Sequence, residues 1–255
     1  MENEILISHA LDLARDCREN YIIRSTSFLD ISEIGTLRAA ISKCGVRHEF
    51  YGGYDEAERC VCLFLPEYAY DAKTYFSSSP DDCPIGILRC KARPGSPPLS
   101  HRDYLGALTA LGIKREKLGD IIVYDGGADV IFLREIEKFL LSEFSSAGRV
   151  KLQTCALPIN ELRAPEIRTS TERGTVASLR LDALISEAFS LSREKASEAI
   201  ETGLVFVNSA KIQKSDAKIS EGSKLVLRGK GKVIFKEIAG ETRRGRISII
   251  FERYL

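Results

Sequence analysis

Apolar positions in the first 75 or so residues recur mainly at helical spacing. Ile5, Leu6, His9, Ala10 and Leu13 fall on one stripe, and Leu37, Ala40, Ile41 and Cys44 on a second, with Gly45 as its stop. Residues 24–30 read as a loop and Gly52-Gly53 as a turn. The apolar run 60–65 reads as a strand shared with the module that follows.

From residue 85 to 156 the pattern changes to short strands alternating with helices. IGILRCKAR predicts a strand and ARPGSPP a connector. Ser100 is placed to cap a helix, with Asp103 completing a capping box and Gly112 closing it. DIIVYD, Gly126-Gly127 and DVIFL predict a hairpin. REIEKFLLSEF predicts a helix with Ile136, Phe139, Leu140 and Phe144 on one face, and RVKLQTC a last strand. The order β-α-β-β-α-β is the ferredoxin-like split repeat. RNA-recognition-motif domains share that order, but their aromatic signature run is absent here. Tyr124 and Phe132 alone are offered for base stacking. Arg102, Lys114, Arg115 and Lys117 are either phosphate contacts or solvated charges.

Residues 157–175 carry two prolines and polar residues with little periodicity, and predict a linker at 161–176. Patterning then returns. Leu181, Leu184, Ile185 and Ala188 form one helical stripe. Ser192 caps a second helix with the small stripe Ala196, Ala199 and Ile200, and Gly203 stops it. LVFVN predicts a strand, and further short strands reach the C-terminal end.

Composition is that of an ordinary globular chain. No stretch approaches the roughly 20 apolar residues a membrane helix needs, and the first twenty residues lack the basic, apolar and small-residue blocks of a signal peptide. A cytoplasmic protein without membrane contact is expected. Seven cysteines without a Cys-x-x-Cys pair read as reduced core thiols, with Cys60 and Cys62 facing one side of a sheet. His9, His48 and His101 lie far from zinc-site spacing, so neither metal nor cofactor is expected.

Charge separates the two ends. Residues 168–255 hold 17 Lys and Arg against 11 Asp and Glu, a balance of +6, whereas residues 1–167 hold 20 against 25, a balance of −5. A polyanion is the natural partner of the first set and a protein surface or solvent that of the second. Arg193 follows the capping Ser192, where backbone N–H groups and the helix dipole favour an anion, and Lys195 is close behind. Lys211 and Lys214 leave the turn after the first strand. Arg228, Lys230 and Lys232 form the run R-G-K-G-K, and Arg243, Arg244 and Arg246 lie on a hairpin after Gly240. Together they are expected to form one continuous cationic face along an RNA backbone.

The run from Ser192 to Asn208, preceded by Arg180-Leu181-Asp182, resembles the RNA-binding domain named after ribosomal protein S-four. The resemblance implies an α-L fold over 177–255, with a C-terminal β hairpin, that grips structured RNA. It implies RNA contacts at Arg180, Ser192, Arg193, Lys195, Lys211, Arg228 and Lys230. Asn208-Ser209-Ala210 departs from the asparagine-glycine turn common in that family. With FLD at 28–30, YGGYDEAER at 51–59, HRDYLGALTALGIKREKLGDI at 101–121 and LRGKGKV at 227–233, the resemblance extends to YlmH-type RNA-binding proteins. It implies an α+β protein of three modules: helical 1–76, ferredoxin-like 77–160 and, after the linker, the S-four-type domain. It further implies contacts to ribosomal RNA and tRNA on the large ribosomal subunit and a role with stalled nascent chains. A link to cell division has also been proposed for such proteins.

The alternative is an RNA-modifying enzyme that uses the same domain for targeting. A pseudouridine synthase needs a catalytic aspartate in a large separate domain. The Arg180-Leu181-Asp182 triplet lies instead in the binding domain, with Asp182 as a local structural partner. No glycine-rich loop fits an adenosyl cofactor, and Ser100 with Asp103 accounts for the kinase-like triplet His101-Arg102-Asp103. No catalytic residue is expected.

Overall fold

The chain starts with small residues at helical spacing, and these set how tightly the first helix docks. In the computed structural model, which describes residues 2–165 and 168–254, α1 (Glu2–Asn20) buries Ala10, Ala14 and Cys17. The buried stripe is rotated from the one read off the sequence, and Ile5 is 69% exposed. Short side chains let α1 lie close to its neighbours, so they win the inward face over the larger Ile5. There follow β1 (Arg24–Ser25), α2 (Ile31–Ile41), β2 (Arg47–Tyr51), β3 (Val61–Leu65) and α3 (Ala72–Ser78). Asp30 caps α2, reciprocally with Glu33. That helix ends before Gly45.

The three strands form an antiparallel sheet in the order β1-β3-β2. β3 is buried on both faces. Cys60, Cys62 and Phe64 meet Ala10, Ala14, Leu37 and Ile41, while Val61, Leu63 and Leu65 meet a second sheet. The strand expected to be shared with the next module is therefore shared by face-to-face packing, not by hydrogen bonding.

The second sheet is built from β4 (Ile85–Ala92), α4 (His101–Ala110), β5 (Leu118–Tyr124), β6 (Gly127–Leu133), α5 (Glu137–Glu143), β7 (Ser146–Ala147) and β8 (Val150–Pro158). Its order is β5-β6-β4-β8-β7, antiparallel throughout. Leu88, Cys90, Val130, Phe132 and Leu152 face Tyr104 and Leu108 of α4 and Leu140 and Phe144 of α5. α5 is shorter than its apolar run suggests, and Phe139 is 43% exposed. The opposite, rear face offers Ile85, Ile87, Ile131 and Leu133 to Val61, Leu63 and Leu65. Residues 1–76 and 77–160, separated in the sequence analysis, thus share a core within one compact unit, Met1–Pro165.

The second unit is Glu166–Leu255. Its elements are β9 (Thr169–Val176), α6 (Leu181–Ala188), α7 (Arg193–Glu201), β10 (Val205–Val207), β11 (Ala210–Lys211), β12 (Ser223–Leu227), β13 (Gly231–Glu241) and β14 (Ile247–Tyr254). The sheet runs β11-β10-β12-β13-β14-β9. β9 corrects the expected linker: residues 169–176 pair with β14 along their whole length, Thr169 with Tyr254 and Val176 with Ile247. A polar edge strand shows little hydrophobic alternation, so it reads as a loop until its partner is known. Glu166 and Ile167 of that linker lie outside the described residues. Leu181, Leu184, Ile185, Ala196 and Ile200 of the two helices pack on Val205, Leu225, Val233, Phe235, Ile249 and Phe251.

Candidate nucleic-acid interface

The starts of α6 and α7 converge on one carboxylate. The first amides of α6 are bound by the segment before β12: Leu181 N–H donates to the Ala217 carbonyl at 2.8 Å and Asp182 N–H to that of Ser215 at 3.0 Å. Asp182, its side chain 6% exposed, accepts from Arg180 Nε and Nη2 at 3.2 and 3.1 Å. It also accepts from Arg193 Nη2 at 2.7 Å and from Ala183 N–H at 2.8 Å. Burial pushes this carboxyl up, but hydrogen bonds from Arg180 and Arg193 outweigh it and hold the group below the usual carboxylate range. One carboxylate therefore pins two guanidinium groups, leaving a net positive charge on side chains that remain 45% and 51% exposed.

Arg193 commits one of its nitrogens, Nη2, to Asp182. Ser192 Oγ accepts from Lys195 N–H at 3.2 Å and so caps α7. The Lys195 side chain is exposed. Lys214 is 3.8 Å from Asp216, and the backbone of Lys218 pairs with that of Arg180 in an isolated antiparallel β-bridge. Lys218 thus joins the cluster although the linear pattern did not single it out. Its membership depends on the 214–218 segment folding back on α6.

The other candidates lie elsewhere on the unit. Lys211 lays its stem over Gly203 at the far end of α7, where a Cβ would stand 2.0 Å from Lys211 Cε. Arg228 and Lys230 sit in the β12–β13 turn, with the Arg228 guanidinium 5.5 Å from the Phe206 ring. Lys232 and Lys224 place their ammonium groups 4.7 and 5.5 Å from the Tyr254 ring, on the sheet face away from the helices. Lys230 edges a cleft with Glu172, Phe189, Ser190 and Arg253, where Glu172 and Arg253 pair at 2.6 Å. Arg243, Arg244 and Arg246 are exposed at the β13–β14 hairpin tip, Arg246 donating to the Thr175 carbonyl. The eleven residues of β13 separate this tip from the 228–232 turn by roughly 30 Å, at about 3.3 Å per residue. The hairpin-tip arginines and the 228–232 turn thus lie at opposite ends of β13, where the sequence reading set them on one continuous face.

In the first unit two of the four suggested phosphate contacts, Arg115 and Lys117, have partners within the unit. Arg115 donates to the Leu118 and Gly119 carbonyls, both at 2.9 Å, and Lys117 pairs with Glu135 at 2.6 Å. Lys114 stands 3.9 Å from Glu116, while Arg102 is exposed. Phe132 is buried beneath the helices, so it offers no ring to a base. Asp103 accepts from Ser100 N–H and Oγ at 2.7 Å each, the capping arrangement read from the sequence.

A network that the sequence did not reveal surrounds Asp129, fully buried on the rear face. It accepts from Arg89 Nε and Nη2 at 2.9 and 2.8 Å, Tyr124 Oη at 3.0 Å and Arg163 N–H at 3.1 Å. Burial pushes its carboxyl up, and these donors more than offset it, holding it below the usual range. The Arg163 guanidinium stacks 4.8 Å above the Tyr124 ring. Among the described residues no group of three or more His, Cys, Asp or Glu side chains converges to hold a metal. None of the described helices is long and apolar enough to cross a membrane.

Comparison with known proteins adds three findings. Residues 96–161 match the family described as a putative RNA-binding domain in YlmH. The chain is 29% identical over 252 residues to the ribosome-associated protein quality control protein P2 of Bacillus subtilis (strain 168), covering 99% of this chain and 95% of that one. A solved structure titled cell division protein ylmH from Streptococcus pneumoniae aligns with a TM-score of 0.49 at 16% identity, over 63% of this chain and 94% of that one. The family match over residues 96–161 and the curated relative both agree with the resemblance to YlmH-type RNA-binding proteins read from the motifs.

Proposed function

We propose that this protein is a non-catalytic RNA-binding factor that associates with ribosomal RNA, and with tRNA, on the large ribosomal subunit during translation quality control. The observation that carries the reading is the pair of guanidinium groups pinned side by side on Asp182 at two helix starts. Arg180 and Arg193 stay half exposed beyond Asp182, and the exposed Lys195, Lys214 and Lys218 add positive charge around the starts of α6 and α7. Such a cluster neutralises closely spaced phosphates of a folded RNA better than it reads bases. The arrangement of α6, α7 and the strands after them supports an S-four-type domain. The similarity to a protein named for ribosome-associated quality control supports the assignment to that process. In this reading Asp182 orients arginines and performs no chemistry, the cytoplasm is the site of action, and neither metal nor cofactor takes part.

Arg180→Ala with Arg193→Ala tests it. The double variant is expected to lose co-sedimentation with large subunits while its circular dichroism spectrum stays unchanged. Its log–log salt slope for structured RNA should become shallower by about 1.4 to 1.8, the release expected for two phosphates. Undiminished sedimentation would remove the cluster from the interface.

A further inference from the structure

The rear face of the first unit's five-stranded sheet is covered over only part of its length. Its cross-strand rows make the division plain. Ile87 stands opposite both Ile131 and Leu157, in the buried part. In the next row Arg89 lies between Asp129 and Cys155, and the 161–163 segment crosses over the first two, its Glu161 carbonyl accepting from Arg89 and its Arg163 N–H donating to Asp129. The row beyond joins Tyr124, Gly127, Lys91 and Gln153. Lys151, two residues before Gln153 on β8, points to the same face. Lys91, Lys151, Gln153, Cys155 and Arg163 are all exposed. The nearby acids are few: Asp129 is held by Arg89, and Asp125 and Glu161 lie at the margin.

Residues 96–161, which supply β5, β6 and β8 of this face, match a family described as a putative RNA-binding domain; we infer that RNA meets this unit on the uncovered end of the face, and as an unpaired segment rather than a folded helix. Three observations point to that occupant. The surface is an exposed part of a sheet edged by Lys91, Lys151 and Arg163, suited to a phosphate chain. The Arg163 guanidinium is layered on the Tyr124 ring, and a guanidinium plane is a stacking partner for an exposed base. The layer is held in place from below: Tyr124 Oη and Arg163 N–H both bind Asp129. Gly127 also leaves room for the ring, since a Cβ there would stand 3.1 Å from it and 2.2 Å from the Cys90 carbonyl oxygen. A hydrogen-bonding Gln153 completes the row. The inference rests on the RNA-binding reading above but concerns a different unit and a different form of RNA.

The chain carries its own reporter. Of its seven cysteines, all free, Cys155 alone is exposed, and it lies in the row beside Arg89. Alkylation of Cys155 by N-ethylmaleimide, followed by peptide mass spectrometry on the full chain, should slow when oligouridylate or oligoadenylate of about ten nucleotides is added, a length within the usual single-strand site size. Lys91→Glu with Lys151→Glu should abolish that protection, and Arg163→Ala should weaken binding of the oligonucleotide about tenfold. Both changes should leave binding of a structured RNA hairpin unaltered, whereas Arg193→Ala should do the reverse. Oligonucleotide binding with Cys155 alkylated at its free rate would overturn the inference and leave the reading of the second unit standing. Absence of binding to either form of RNA would overturn both.

Discussion

Each unit holds an antiparallel sheet with two helices on one face, and the two sheets differ in what lies on the other. In the first unit a three-stranded sheet covers Ile85, Ile87, Ile131 and Leu133. In the second unit, Lys224, Lys232 and Tyr254 occupy the corresponding face and remain only partly buried. The difference teaches that element order alone does not define a binding surface. The βαββαβ order suggests base stacking on the sheet, yet much of that face is committed to the core. Buried carboxylates tell the same story. Asp129 and Asp182 each gather arginines, but the Arg89 partner of Asp129 is nearly enclosed while Arg180 and Arg193 are half exposed.

The sharpest test of that contrast is removal of each carboxylate. Asp129→Ala is expected to cost about 3–5 kcal/mol, because it strands the enclosed Arg89 without a counter-charge. Asp182→Ala should cost only about 1 kcal/mol, since water can solvate its arginines. Urea denaturation followed by hydrogen exchange in β4 and α6 separates the two effects. Equal costs would break the comparison. Next come the apolar faces. Ile87→Ala should destabilise the first unit by about 2–4 kcal/mol through loss of buried volume. Ile238→Ala, on a side chain 42% exposed, should stay within about 0.5 kcal/mol.

Acid titration sharpens the point further. Asp129 has a lowered pKa in the folded state relative to 3.8. Its contribution is thus fully present above that ordinary value and is lost as pH falls through the lowered one. Asp129→Asn should flatten the acid limb of the first unit's stability curve. A limb of unchanged steepness would assign acid sensitivity to other groups. The smallest effect concerns turns. The first unit's hairpin between β5 and β6 places Gly126 at φ +78°, whereas Asn208 and Ser209, between β10 and β11, have φ +49° and +68°. Serine is strained there, so Ser209→Gly should stabilise the second unit by about 0.5–1 kcal/mol, read as a raised thermal midpoint.

Much of the fold was legible where the instructions are local. Ser192 and the Ser100–Asp103 box mark helix starts with hydrogen bonds spanning three residues, and Gly203 marks a stop at φ +76°. The stripe Leu181, Leu184, Ile185 and Ala188 declares its buried side by spacing alone. Legibility failed where two inward-facing candidates compete, as with Ile5 against Ala14 on α1, because packing distance to a partner decides between them. It failed also at β9, whose polar residues pair with β14 some 80 positions away.

The candidate site divides in the same way. Residue types and caps placed Arg193 and Lys195 at the start of α7 without coordinates, since those features depend on neighbours a few positions apart. That the Lys218 backbone pairs with Arg180, that Asp182 binds two arginines thirteen residues apart in sequence, and that part of one sheet face is walled off from solvent required the tertiary structure. Such arrangements arise from contacts between distant segments, whose register and docking are fixed by the packing of the whole chain and leave no periodic trace in any one stretch of it.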